Sequence, residues 1–196
     1  MKRSFQIKMP KVETFNREEV LEKVISLFHE KSYNATSMQD LVDATGLNRS
    51  SIYNSFGSKM EIYQESLSFY RASANKMIQK VLINSSSPFD AIKKIFTTTN
   101  SPINKGCLIS NCTTEMANQD QKINNFLVNN MESLQELFET LISKGQEDKS
   151  INAHKTAKEY AVYLFAALQG FRITSMILNE QKDLESIVDT TLSALL

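Results

Sequence analysis

The chain has 196 residues, 41% of them hydrophobic, which is enough to bury a core and excludes global disorder. Five glycines and three prolines over this length disfavour a many-turned β architecture and favour long helices. Formal net charge is zero, yet residues 1–80 carry 12 Lys/Arg against 9 Asp/Glu, an excess that permits a polyanion partner at the front end without demanding one.

The opening residues contain no apolar run of signal-peptide length. The longest wholly apolar run, 161–168, is far short of the ~18 residues a membrane span needs. A cytoplasmic protein with no membrane partner is expected. Cys107 and Cys112 are too few for a disulfide framework. Five apart on a helix, they are turned about 140° from each other and are not expected to pair.

The pattern predicts an all-α fold of about nine helices. Before the first lies a sparse basic arm, Lys2, Arg3, Lys8 and Lys11, read as a solvated tail that could touch DNA. Helix one spans about Arg17–Lys31, with an apolar stripe of Val20, Leu21, Val24, Ile25 and Phe28 and a cap at Asn16. Helix two spans about Met38–Thr45, capped by Thr36 or Ser37 and stopped by a left-handed Gly46. Asn48 caps a third helix of about eight residues with Ile52 and Phe56 on its inner face. A fourth begins near Ser58 and runs to about Leu82. Breaks are expected at Ser85–Pro88 and Asn100–Lys105, with a helix bearing Ile92, Ile95 and Phe96 between them. Then come a short helix at Gly106–Ala117, long ones at Gln121–Lys144 and Ala153–Leu178, and a last one holding Leu184, Val188 and Leu192.

Two short helices joined by a tight turn at Gly46, the second rich in small polar residues, form a helix-turn-helix pattern. Leu41, Val42, Leu47, Ile52 and Phe56 would hold the pair together. Gln39, Arg49, Ser50, Ser51, Asn54 and Ser55 are left outside. Small side chains let a helix sink into a major groove about 12 Å wide, where Arg pairs with guanine and Asn with adenine.

The segment from Asn16 to Leu67 resembles the N-terminal domain of the TetR/AcrR family of transcriptional regulators. Phe28, Tyr33, Thr36-Ser37, Asp40-Leu41, Gly46-Leu47, Ile52-Tyr53, Phe56 and Ser58-Lys59 carry that resemblance. It implies that helix three is the recognition helix. Carried over by position, Arg49, Ser50 and Asn54 face bases, while Thr36, Ser51, Tyr53, Ser55 and Lys59 face the DNA backbone. Ser37 is also expected among the DNA-binding residues, and Gln39 sits at the groove edge. Ser32 stands where the family commonly has glycine. GCLISNCTTEMA, starting at Gly106, and LFAALQGFRITSMI, starting at Leu164, resemble the family's sixth and eighth helices.

The resemblance implies a DNA-binding domain at 1–58 and a ligand-receiving and dimerising domain at 59–196. Its expected partners are a double-stranded operator, a small-molecule effector, and a second copy through the last two helices, where Gly170 permits close approach. Phe96, Met116, Phe126, Met131, Tyr163 and Phe171 are candidate cavity walls, each also readable as plain core. Glu115 beside Cys107 and Cys112 admits thiol chemistry, with buried structural cysteines the commoner case. No Gly-rich phosphate loop, serine elbow or Cys/His/Asp cluster of metal spacing is present. No cofactor, metal or enzymatic activity is therefore expected. The rival reading is an all-helical carrier or enzyme with a vestigial helix-turn-helix; a ligand-independent activator also stays open.

Overall fold

Each helix of the front end starts on a side chain able to satisfy its free amides. The computed structural model describes residues 15–98, 106–178 and 180–196. The Asn16 side chain accepts from the Glu18 and Glu19 amides and opens α1 (Arg17–Ala35). Ser37 and Asp40 form a reciprocal capping box that opens α2 (Met38–Thr45), and Gly46 ends that helix at φ 73°. Asn48 accepts from the Ser51 amide at 2.8 Å and opens α3 (Arg49–Phe56). A second capping box, Ser58 with Glu61, opens α4 (Lys59–Ile83). There follow α5 (Pro88–Thr98), α6 (Leu108–Met116), α7 (Gln121–Glu147), α8 (Ala157–Thr174) and α9 (Gln181–Ser193). The nine helices expected are the nine found among the described residues, with no strand.

Three boundaries differ from expectation by four residues: the end of α1 and both ends of α8, which stops at Thr174 rather than Leu178. α1 extends past Lys31 to Ala35, with a break in helical geometry at Ser32, φ 61° and ψ 173°. α8 starts at Ala157 rather than Ala153, because a third capping box, Thr156 with Glu159, fixes its first turn. Residues before it are held in a turn by the Ile151 amide on the Gly145 carbonyl and the Asn152 amide on the Leu195 carbonyl, both at 2.9 Å. The basic arm at Lys2, Arg3, Lys8 and Lys11 and the break at Asn100–Lys105 lie outside the described residues.

Two apolar clusters fill the interior. The first joins Phe28, Leu41, Ile52 and Phe56 to Tyr63 and Leu67 of α4, then continues through Cys112 and Met116 of α6 to Ile123 of α7. The second unites the end of α4 with α5, the rest of α7, α8 and α9, around Ile92, Phe96, Phe138, Leu164 and Leu168. Each such side chain contributes roughly 1.5–3 kcal/mol on burial. The boundary expected at residue 58/59 is not a division of the core, since the first cluster crosses it. α7 and α8 form the most extensive helix pair, so the body is anchored on an antiparallel hairpin. No helix of the described residues is long and apolar enough to cross a membrane.

Candidate nucleic-acid interface and ligand cavity

α3 turns about 100° per residue, so Ile52 and Phe56 share one face and Ser50 and Asn54 share the opposite one. Ile52 and Phe56 are 0% and 6% exposed. Ser50 and Asn54 are exposed, flanked by exposed Arg49 and Tyr53 and half-buried Ser51 and Ser55. The helix therefore lies flat on the core and shows a crest of hydroxyl and amide groups with one guanidinium beside it. Tyr53 is 50% exposed, too open for a core aromatic. The Ser50 hydroxyl donates to the Asn48 side chain at 2.7 Å.

The residues flanking α3 divide into presented and internal. Gln39 is exposed and donates to Asp43 at 2.8 Å. Ser37 is exposed, but its hydroxyl is engaged with Asp40 at 2.7 Å. Hydrogen bonds from Lys31 and from the Ser37 amide hold the Asp40 carboxyl well below the usual carboxylate range.

Two residues expected at the DNA backbone have partners inside the protein. Thr36 is 1% exposed, and its hydroxyl donates to the Ser32 carbonyl at 2.6 Å, so its side chain faces the core rather than a phosphate. The Lys59 ammonium, expected at the DNA backbone, donates to the Tyr33 and Thr36 carbonyls at 2.9 and 2.7 Å and lies 4.2 Å from the Tyr33 ring centre. Here it ties the end of α1 to the start of α4.

Two further side chains brace this unit. Arg17 grips Glu65 with two nitrogens, at 2.6 and 2.7 Å, donates to the Ser55 carbonyl at 3.1 Å, and lies over the Phe56 ring at 4.2 Å. It joins α1, α3 and α4. Its signal in the sequence is a cation in the first turn of a helix, against the dipole. Glu115, at the end of α6, accepts from the Tyr33 and Asn34 amides at 2.9 and 2.7 Å. Its carboxylate is a strut from the body to the end of α1, not part of a reactive thiol cluster.

Behind this unit lies a cavity of about 250 Å³ between α4, the end of α5, α6, α7 and α8. Its apolar wall includes Ala74, Met77, Ile78, Ile109 and Leu134; Tyr70, Asn130 and Cys107 supply polar atoms, and Arg71 and Arg172 supply charge. None of the six residues expected to line it does so. Phe96 and Phe171 pack ring to ring, 6.2 Å apart, in the second cluster. Met116 is buried in the first cluster. Phe126 packs beside that cluster under the Arg71 guanidinium, and Met131 is half-buried elsewhere on α7. Tyr163 faces outward on α8, its hydroxyl donating to the Thr191 carbonyl at 3.2 Å. Large apolar side chains were drawn into solid core, and the space was left among smaller and polar ones. The missed signal was Arg172, a buried cation in the last turn of α8, shortly after the apolar run that ends at Leu168.

Both cysteines are buried and unpaired with each other. Burial pushes the Cys112 thiol up to about 11. For Cys107 burial also acts upward, but the Arg172 guanidinium and hydrogen bonds from Ser110 and Tyr70 outweigh it and leave the thiol below its ordinary value.

The outer face of α8 is apolar and open. Val162, Tyr163 and Ile173 are 48%, 41% and 48% exposed. Gly170 lies on this face, and a Cβ placed there meets nothing within 4 Å.

Comparison with known proteins bears on the fold and the family. Residues 20–65 match the family described as bacterial regulatory proteins, tetR family, and residues 90–191 match the tetracyclin repressor-like C-terminal domain. The HTH-type transcriptional repressor ComR of Escherichia coli is 29% identical over 192 residues, covering 93% of this chain and 89% of that protein. The uncharacterized HTH-type transcriptional regulator YezE of Bacillus subtilis is 24% identical over 182 residues, 90% of this chain and 94% of that one. Among solved structures, a cysteine mutant of the TetR family regulator CifR, complexed with 26-base-pair operator DNA, superposes with a TM-score of 0.83 at 19% identity, covering 95% of this chain and 100% of that one. The chain belongs to the tetR family of bacterial regulatory proteins, which are helix-turn-helix DNA-binding transcriptional regulators.

Proposed function

We propose that the protein is a homodimeric repressor that binds a palindromic operator through α3 of each copy and leaves it when a small molecule fills the body. The observation that carries this reading is the course of α6. Its start, at Cys107 and Ile109, borders the cavity, and its end, at Glu115, holds the end of α1. About 10 Å of rigid helix thus joins the ligand space to the DNA-binding unit. α4 makes a second link, with Lys59 at the head and Tyr70, Met77 and Ile78 at the cavity.

Residues 1–58 bind DNA in this reading, and 59–196 receive the ligand and dimerise. Arg49, Ser50 and Asn54 meet base edges. Tyr53, Ser51, Ser55 and Gln39 meet the sugar-phosphate backbone or the groove edge, and Ser37 caps α2 beside them. Dimerisation uses α8 and α9, with the open stripe from Val162 to Ile173 buried between copies. Two heads docked on one side of the duplex stand about 34 Å apart, one helical turn. A ligand that binds better when the heads are spaced otherwise lowers operator affinity by that difference.

Fluorescence anisotropy with duplex DNA from upstream of the gene tests this reading. A complex that survives competitor DNA, protects two half-sites and is released by a ligand that raises the melting temperature is the expected result. Binding that is equal on every sequence would sink it. Gly170→Trp is expected to give a monomer in sedimentation and to lose two-site protection.

A further inference from the structure

The cavity holds a cation without a counter-charge. Arg172 comes from α8, whose other inward residues include Ala161, Leu164, Leu168 and Phe171. It is 8% exposed, and its Nε is buried with no hydrogen-bond partner. No ion pair to a carboxylate is seen for it among the described residues. Taking a charge out of water costs several kcal/mol unless a partner offsets it. Among the described residues the cavity walls offer no carboxylate, and the end of α8 beside Arg172 supplies only a partial negative charge. Two arginines line the space, Arg71 and Arg172, and no Asp or Glu does among the described residues. Arg71 is satisfied elsewhere, donating to the Asn129 carbonyl and to Ser133. Arg172 remains.

We propose that this cavity takes a small organic carboxylate, the carboxyl group on the Arg172 guanidinium and a short apolar body against Met77, Ile78, Ile109 and Leu134. The proposal rests on reading the cavity as the effector site and names the effector's chemical class. A guanidinium edge offers parallel N–H donors that fit the two oxygens of a carboxylate. The Tyr70 hydroxyl and the Asn130 amide border the same space and are able to donate as well. The downward pull on the Cys107 thiol reports that the local field favours a negative group. A thiolate is a single soft acceptor and leaves most of the fork unmet. The volume of about 250 Å³ lies below the roughly 300–1,000 Å³ of drug-sized sites, which selects a compact acid. A ligand seated here touches α8 at Arg172 and the start of α6, so it bears on the strut that ends at Glu115.

The test is calorimetric titration of the full-length protein at pH 7 with two isosteric pairs, benzoate with benzamide and hexanoate with hexanamide. Each acid is expected to bind at least tenfold tighter than its amide, the two acids competing for one site. In Arg172→Gln the acid-to-amide ratio falls to about one with amide affinity retained; Arg172→Lys, which keeps charge but loses the fork, holds an intermediate ratio. Should Arg172→Gln fail to fold, the wild-type ratios and the Arg172→Lys ratio decide. Amides binding as well as acids, a ratio that survives Arg172→Gln, or no binding of either acid at millimolar concentration overturns the proposal. Operator release is read separately by anisotropy. Amides that bind equally and still release DNA leave the effector reading intact, whereas acids that bind with the expected ratio and release nothing overturn the effector reading alone.

Discussion

The head and the body of this molecule use the same polar groups in opposite ways. In the head, polar side chains away from the α3 crest are engaged. Asn16, Ser37, Asn48 and Ser58 cap helices, Arg17 holds Glu65 with two nitrogens, and the Lys59 ammonium is spread over two carbonyls. In the body, Arg172 is buried with an unmatched Nε beside open space. The head is built to hold one shape and present one surface. The body keeps a buried guanidinium nitrogen unmatched at the edge of a cavity, which is the feature the effector proposal rests on. A regulator needs both, because an effector acts only by preferring one arrangement of the whole.

The sharpest challenge to this comparison is whether the two parts melt separately. Phe28 is 1% exposed and meets Tyr63 edge-on at 4.7 Å, inside the cluster that runs from α1 into α6 and α7. Phe28→Ala is expected to cost about 3–5 kcal/mol, and differential scanning calorimetry is expected to show one transition moving as a whole. Two transitions, with only the first displaced, would mean that the head is an independent unit and that α6 does not couple it to the body.

The next largest effect separates the presented surface from the internal bracing. Arg49→Ala is expected to weaken operator binding by about 1–3 kcal/mol and to relax preference at one base pair, with the melting temperature unchanged because the side chain is exposed. Lys59→Ala is expected to lower the melting temperature, since two carbonyls at the end of α1 lose their donor. Anisotropy across single-base operator variants and thermal unfolding together distinguish the two. A Lys59 variant of normal stability that binds every sequence more weakly, with a salt slope flatter by about one unit, would return that residue to the DNA backbone.

Glu115 tests the strut. In Glu115→Gln one of its two accepting oxygens becomes a donor facing an amide N–H. A loss of about 1–2 kcal/mol in urea unfolding is expected, together with a weaker effect of ligand on operator binding. Full ligand response in this variant would shift the connection from α6 to α4.

What was legible in the sequence follows the same division. Local chemistry is written locally. Asn16, Asn48 and Gly46 announce their roles within a few residues of where they act, and the spacing of Ile52 and Phe56 orients α3 without knowledge of the remainder. The cavity is not local. Its walls come from five helices spread between Tyr70 and Arg172, and a large apolar side chain such as Phe96 or Phe171 fills space as readily as it borders it. The internal partners of Lys59 and Thr36 were not legible for a related reason, since the Tyr33 and Thr36 carbonyls turn toward Lys59 only where α1 breaks at Ser32.

That break gives the smallest expected effect and the most direct reading of backbone against sequence. Ser32 adopts φ 61° and ψ 173°, a region that glycine enters freely and other residues enter at a cost of order 1–3 kcal/mol. The strain is held because its surroundings demand it: the Ser32 carbonyl accepts from Thr36, the next two amides are bound by Glu115, and the Lys59 ammonium binds the Tyr33 carbonyl. Ser32→Gly relieves the strain, gives up a local hydroxyl bond to the Lys31 carbonyl, and adds freedom to the unfolded chain worth about 0.5–1 kcal/mol. The balance is a gain of about 1 kcal/mol, a rise of roughly 2–4 °C in melting temperature. Ser32→Ala loses the same hydroxyl and keeps the strain, so it is expected to gain nothing. Equal stability of the two variants would show that the turn after α1 is not strained, and that the bracing from Glu115 and Lys59 holds it without opposing a backbone preference.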